Sequence, residues 1–449
     1  MRLFLGLIAA GLVAAPAAAK PNVIVFLSDD VGWGEYGFQG GDVPTPHIDS
    51  IAKNGVRFTR GYVSGPYCSP TRAGLLTGRY QTRFGHEWNE GPATPGGRAF
   101  GLPVEEKTMA DRLKALGYAT AAVGKWHLGR GPDFIATARG FDEFYGTVGN
   151  TPFFNPPNFI DTRKSKDVTP VKDDAFYTTD AYAARAVDFI EQSKGKPYFL
   201  YLPFNAQHAP LQAPKKYLDR FPKIEDEKRK TFAAMMSAMD DAVGAVLGKV
   251  KALGEEENTL VFFFSDNGGP TPVTTSKNGP LRGQKATTLE GGIRVPFCAQ
   301  WKGKIPAGVT YDEPIIQLDI LPTALAAAGG KVEPEWKLDG VDLLPFLSGS
   351  NKGKPHEALY WRFGQQWAVV RGHDKLVVNR IDGVNQPPAL YDLKGDVGEA
   401  KDLAAAEPAK AKELKELWDK WNAEQMAPRW LPNPAKKKKK NKNGPEDEE

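Results

Sequence analysis

Cys68 lies in the segment Gly65-Pro66-Tyr67-Cys68-Ser69-Pro70-Thr71-Arg72, which continues through Ala73-Gly74-Leu75-Leu76-Thr77-Gly78-Arg79. Serine caps helix N-termini and proline suits the first helical position, so this stretch predicts a short helix capped by Ser69 and entered at Pro70. A thiol at the mouth of a helix faces free N–H groups and the positive end of the dipole, a setting that favours an anion. Such a thiol is placed to act as a nucleophile. The ordinary alternative for a lone cysteine is a small buried hydrophobe. The second cysteine, Cys298, sits in the apolar run Val295-Pro296-Phe297-Cys298-Ala299, and a Cys68–Cys298 disulfide is a further option in an oxidising compartment.

Other polar groups gather at the ends of four apolar runs. Val23–Leu27 ends at Ser28-Asp29-Asp30, and Tyr118–Val123 leads into Gly124-Lys125-Trp126-His127. Tyr198–Leu202 is followed by Asn205-Ala206-Gln207-His208, and Leu260–Phe264 ends at Ser265-Asp266-Asn267-Gly268-Gly269. Asp29, Asp30, Asp266 and Asn267 offer only oxygen ligands, a set suited to a hard cation. Ca²⁺ is preferred over Mg²⁺ because several protein ligands are on offer. Lys125 and His127 alternate, and in extended chain they face the same way. Taken singly, each cluster has a plainer reading: Asp29-Asp30 and Asp266–Gly269 as turn residues, His208 as a loop histidine, Lys285 as a surface charge. Those readings give no reason for four such clusters to fall at run ends.

Short, continuous, β-rich apolar runs are strands buried on both faces of a sheet. Helical stretches separate them, at Met109–Leu116, Ala181–Gln192 and Phe232–Leu253. The expected fold is therefore α/β, a large, mostly parallel sheet flanked by helices, with all four clusters on the rim at the strands' carboxyl ends. After about Phe346 the pattern changes. Leu359–Arg362, Gln366–Arg371 and Lys375–Val378 read as short antiparallel strands, and Pro408–Ala423 as a terminal helix with proline first. The expected boundaries are a catalytic domain over 20–346, a small antiparallel subdomain over 347–430 and a disordered charged tail over 431–449. Thr151–Asp174, rich in Pro, Asn, Lys and Asp, is expected to be a long surface loop. His86, with Arg83, Trp88 and Asn89, lies in a polar aromatic loop that has the composition of a pocket wall.

Residues 1–19 have the form of an export signal: Arg2, the apolar stretch Leu3–Val13, then Ala17-Ala18-Ala19 before Lys20. No cysteine stands at the cut to carry a lipid, and no later segment approaches the length of a membrane span. The expected location is periplasmic or secreted. The net charge of +4 is small for 449 residues, and the run Lys436–Lys440 is followed by acidic residues, which argues against a nucleic-acid partner.

Cys-x-Pro-x-Arg, extended through Leu75-Leu76-Thr77-Gly78-Arg79, resembles the modification signal of the formylglycine-dependent sulfatases. The likeness covers residues 21 to about 400. Asp29-Asp30 with Gly32-Trp33-Gly34, Gly124–Gly129, Ser265–Gly268, and Lys285 ahead of Glu290–Pro296 all resemble family motifs. The opening half is most similar to the N-acetylgalactosamine-6-sulfatase and arylsulfatase A branches. The resemblance implies an alkaline-phosphatase-like sandwich, Cys68 oxidised to formylglycine by a formylglycine-generating enzyme, which sets the disulfide aside, and one Ca²⁺ ligated by the modified Cys68 together with Asp29, Asp30, Asp266 and Asn267. It implies that Arg72 and Lys125 fix the aldehyde hydrate, that Lys285 and His208 face the sulfate ester, and that His208 protonates the leaving alcohol. His127 would take the proton that lets sulfate depart, and Asp266 would double as the activating base. The substrate implied is a sulfated saccharide. Related enzymes with the same aldehyde act on phosphonate or phosphate diesters, and a glycan-binding protein lacking the aldehyde is the non-catalytic alternative. Arg294 reads as a structural ion-pair partner.

Overall fold

The computed structural model describes residues 19–90 and 100–432. All but the last residue of the expected export signal, and the basic and acidic runs of the tail, lie outside the described residues. A nine-stranded sheet has the order Val309–Tyr311, Val56–Phe58, Phe297–Gln300, Thr259–Ser265, Asn22–Ser28, Tyr198–Pro203, Ala119–Lys125, Glu143–Thr147, Phe159–Asp161. The strands Thr259–Ser265, Asn22–Ser28, Tyr198–Pro203 and Ala119–Lys125 are mutually parallel neighbours. Their carboxyl ends therefore emerge at one rim.

The continuous apolar runs are explained by packing on both faces. Val23, Val25 and Leu27 point into one layer with the Cys68 helix, Met109–Ala115 and Ile320–Ala327. Ile24 and Phe26 point into the other, with Pro46–Lys53, Thr178–Gln192 and Glu227–Ala252. The last of these helices starts earlier than its apolar pattern indicates. Its first turn is mostly exposed and polar, and it is set instead by Asp226, whose side chain accepts the Arg229 N–H at 2.6 Å. The stretch expected as one long loop, Thr151–Asp174, contributes the edge strand Phe159–Asp161, paired antiparallel with Glu143–Thr147. Three residues at a sheet edge are too few to show a period.

The carboxy-terminal part forms a four-stranded antiparallel sheet, Leu359–Phe363, Gln366–Arg371, Asp374–Val378 and Ala389–Asp392, packed by the helix Pro408–Asn422. It is joined to the large sheet's loops through buried contacts. Trp361 Nε1 donates to Val63 O at 2.6 Å. Lys375, fully buried, lies 2.9 Å from Glu290 and 2.8 Å from Glu399. Glu290 also accepts from Tyr62 and lies 3.4 Å from Arg294, which is the expected structural pair.

A second buried pair predicts a pH effect. His356 Nε2 lies 2.8 and 3.0 Å from the two oxygens of Asp319, in the turn that packs on the Cys68 helix. Burial alone would lower the imidazole's proton affinity, but Asp319, helped by Asp339, raises it above 6.5. A folded value above the unfolded one contributes stability that is complete below 6.5 and is lost as pH rises through the folded value. The Tm deficit of His356→Gln relative to the native chain is expected to be largest at acid pH and to close on the alkaline side. Thermal melts across pH check it, and a gap independent of pH would contradict it.

Candidate active site

Cys68 opens the helix Cys68–Thr77, which lies directly beneath the sheet rim and is buried throughout. Ser69 does not cap it. Tyr67 holds the cap position and Ser69 is already inside the first turn, with its hydroxyl 2.6 Å from His86 Nε2 and its N–H donating to Asn89 Oδ1 at 3.0 Å. The loop expected to line a pocket thus contributes His86 and Asn89 to fixing the helix start. His86 is fully buried, and its neighbour Arg83 pairs with Asp339. Cys68 and Cys298 are both free thiols.

The four strand-end clusters converge on Cys68. Its sulfur is 3.5 Å from Asp29 Oδ1 and 4.0 Å from Asp30 Oδ1. One ligand atom each from Asp29, Asp30, Cys68 and Asp266 lie within 4.8 Å of one another, all in buried residues. Asp30 takes a left-handed conformation (φ 65°), which turns its carboxylate back toward the cluster, and its N–H donates to Asp266 Oδ1 at 3.2 Å. Asn267 donates to Asp30 Oδ1 at 2.7 Å, while its own Oδ1 is buried without a partner. An orphaned buried carbonyl beside three gathered carboxylates fits a hard cation.

Three buried cations surround the cluster. Arg72 reaches Asp266 Oδ2 at 2.7 Å and Asp29 Oδ2 at 3.3 Å, and donates to Lys125 O at 2.7 Å. Lys125 Nζ is 2.5 Å from Asp29 Oδ2, and Lys285 Nζ is 2.8 Å from Asp30 Oδ1. His208 Nδ1 lies 2.5 Å from Ala209 O, which can only accept. The proton is therefore assigned to Nδ1, leaving Nε2 toward Asp30 at 3.6 Å. His127 is not in extended chain. The strand stops at Lys125, and His127 turns left-handed (φ 54°), its ring buried with Nδ1 unpartnered. It reaches the site by that turn and not by strand alternation.

These contacts set the protonation states. Burial would raise Asp29, but Lys125 and Arg72 hold it well below the usual carboxylate range. Asp266, although 2.7 Å from Arg72, is pushed up to about 7 by burial and by the charge of Asp29. A bound cation would draw both down. Burial lowers His127, with Lys125 and Arg72 adding to it, and burial lowers His208 as well, so both rings are neutral at pH 7. Burial alone would strip the proton from Lys285, but Asp30 and its neighbours hold it above its ordinary value.

Other residues hold these groups in place. Ser265 Oγ accepts the Val31 N–H at 3.0 Å and donates to Asn267 O at 2.9 Å, which ties the two halves of the carboxylate cluster together. Ala286, next to Lys285, is left-handed (φ 67°) and held from both sides: its N–H donates to Pro66 O at 2.9 Å and its carbonyl accepts from Gln366 Nε2 at 2.9 Å. The second clamp comes from a strand 80 residues away. Ser265 belongs to the Ser265–Gly268 motif, whereas the Ala286 turn and the Gln366 clamp carry no sequence signal.

A buried thiol at a helix mouth, gathered carboxylates and lysine–histidine flanks thus meet on one parallel-sheet rim, an arrangement with the chemistry to meet an anionic ester. The sulfatase family profile matches residues 21–330, and the chain belongs to that family, the sulfate ester hydrolases. It is similar to N-acetylgalactosamine-6-sulfatase of Canis lupus familiaris, at 33% identity over 90% of this chain and 86% of that protein. It is similar also to human arylsulfatase A, at 34% identity over 91% and 89%. The crystal structure of Ps i-CgsB in complex with k-i-k-neocarrahexaose superposes with a TM-score of 0.84 at 33% identity, covering 93% of this chain and 96% of that one. The fold is the alkaline-phosphatase-like sandwich expected from the sequence.

Proposed function

We propose that this chain is an exported sulfatase that removes sulfate from a sulfated carbohydrate, with Cys68 converted to formylglycine by a maturation enzyme. The observation that carries the reading is the position of Cys68: first residue of its helix, 3.5 Å from Asp29, inside the buried carboxylate cluster. Carbohydrate is supported by the names of the relatives, one an N-acetylgalactosamine-6-sulfatase and one crystallised with an oligosaccharide.

Asp29, Asp30, Asp266 and Asn267 would hold Ca²⁺ in preference to Mg²⁺, through several oxygens and in flexible geometry. That ion supplies charge neutralisation and orientation for attack at sulfur, and the aldehyde hydrate supplies two hydroxyls on one carbon. The chain's own residues do the rest. Arg72 and Lys125 brace the Asp29–Asp266 side beneath position 68, and Asp266 is placed to accept a proton from the attacking group. Lys285 stands on the Asp30 side, where it meets the sulfate oxygens. His208 Nε2 takes up a proton as the negative substrate enters, because a nearby anion favours the charged ring, and passes it to the departing alcohol oxygen. His127, neutral in the resting site, accepts the proton whose removal releases sulfate.

The test is sulfate release from a panel of defined sulfated saccharides, run beside an aryl sulfate and an aryl phosphodiester. Sulfate release with little phosphodiester turnover is expected. Faster turnover of the phosphodiester would assign the chain to phosphonate or phosphate diester hydrolysis, and no turnover by aldehyde-bearing protein would leave a glycan-binding role. The export signal is tested by the mature N-terminus, expected at Lys20.

Removing the cation has a defined consequence. Gathered buried carboxylates without their ion repel one another and the substrate. Exhaustive chelation is expected to abolish activity and lower Tm, and Ca²⁺ at about 100 times its Kd to restore both, adding about 2.7 kcal/mol of stability. Full activity in metal-free protein would remove Asp29, Asp30, Asp266 and Asn267 from the role of ligands.

A further inference from the structure

A fifth parallel strand, Glu143–Thr147, runs beside Ala119–Lys125 and delivers Val148, Gly149 and Asn150 to the same rim. The His127 N–H donates to Val148 O at 3.2 Å. A Cβ placed on Gly149 would stand 3.4 Å from Arg130 Nη2 and 3.6 Å from His127 Cδ2, so guanidinium and imidazole border the same point. Arg130 differs from the cations deeper in the site. Arg72, Lys125 and Lys285 are buried and each is engaged by an aspartate. The Arg130 side chain is 67% exposed, and its charge partner among the described residues is Glu90, whose Oε1 lies 3.8 Å from Nε, beyond hydrogen-bond reach. Glu90 itself is 3% exposed in its side chain, with neither oxygen hydrogen-bonded among the described residues. Burial pushes the Glu90 carboxyl up to about 8, so it is largely protonated at pH 7 and leaves the guanidinium charge uncompensated and its N–H groups unused. In the same turn, Thr151 is 7% exposed and its hydroxyl has no partner among the described residues. Among the described residues the rim beside His127 thus holds a planar fork of donors without a hydrogen-bond partner, the geometry that matches a sulfate or carboxylate.

Resting on the sulfatase reading above, we propose that Arg130 forms a subsite for a second anionic group, a sulfate or a carboxylate, carried by the saccharide beside the ester being cleaved. The substrate class this selects is a multiply charged sulfated saccharide. An aryl monosulfate has nothing to offer Arg130.

The test uses Arg130→Gln and Arg130→Lys in the full mature chain. N-acetylgalactosamine-6-sulfate and N-acetylgalactosamine-4,6-disulfate serve as competitive inhibitors of aryl sulfate hydrolysis, so that neither sugar need be turned over. The native enzyme is expected to bind the disulfate about 2- to 5-fold more tightly than the monosulfate. Arg130→Gln erases that preference by raising the Ki of the disulfate, Arg130→Lys keeps part of it, and both leave kcat/KM on aryl sulfate unchanged. No preference in the native enzyme, or an equal loss for both sugars and the aryl sulfate in Arg130→Gln, overturns the proposal. Failure of the native enzyme to release sulfate from the aryl sulfate and from both sugars alike would instead strike the sulfatase reading, and it is read before any variant is made.

Discussion

Cys68→Ala is expected to lose turnover by on the order of 10⁵-fold or more, the scale on which enzymes lose rate when their nucleophile is removed. The fold should survive. Cys68 is fully buried, but among the described residues its sulfur's hydrogen-bond contacts are two long ones, 3.5 and 4.0 Å, both to carboxylates, and alanine leaves a void of a single atom. Metal binding should survive as well, since three carboxylates and Asn267 remain. Cys68→Ser separates the aldehyde chemistry from ordinary nucleophilic catalysis. A serine hydroxyl can attack sulfur once but has no second hydroxyl on the same carbon to drive release, so the variant is expected to stop after one turnover unless the host modifies serine. Rapid-quench measurement of sulfate against leaving alcohol checks this. Multiple turnovers by a Cys68→Ser protein whose serine is shown to be unmodified would contradict the two-hydroxyl account.

The second large effect is expected at His208. If its Nε2 protonates the departing oxygen, the cost of His208→Ala must follow the basicity of the leaving group. For a sugar alcohol the loss is expected at about 10²–10⁴-fold, the usual range for general acid catalysis. For an aryl sulfate with an acidic phenol it should fall to about 10-fold or less, because that oxygen leaves without help. A plot of log kcat/KM against leaving-group pKa should therefore be steeper for the variant than for the native enzyme. Parallel plots would take His208 out of the general-acid role and leave it as a contact to the ester.

The parts of this site that are legible in the sequence share one physical origin. A strand buried on both faces of a parallel sheet has no alternation, so it reads as an unbroken apolar run and its carboxyl end is marked by the first polar residue. Ser28, Lys125 and Ser265 end their strands with Asp29, Trp126 and Asp266 immediately beyond, and Tyr198–Pro203 ends just before Asn205 and His208. What is not legible depends on contacts distant in the chain or on backbone turns that composition does not reveal. Ser69 has the chemistry of a cap, yet His86 and Asn89 claim it, and the helix begins two residues earlier, at Cys68 in place of Pro70. His127 enters the site through a left-handed turn, and Ala286 is held in another by Pro66 and Gln366. Nothing near Gln366 announces that it steadies a lysine loop. The start of the helix Glu227–Ala252 is hidden because its first turn is polar, and the edge strand Phe159–Asp161 is hidden because three residues carry no period.

The account stands on the chemical state of one side chain. Protein produced with a formylglycine-generating enzyme should be digested and the peptide containing residue 68 analysed by mass spectrometry, on the same preparation whose specific activity is measured. An aldehyde at position 68 is predicted, with its fraction rising in proportion to activity across preparations made with and without the maturation enzyme. A fully active preparation whose Cys68 is an intact, unmodified thiol would contradict it.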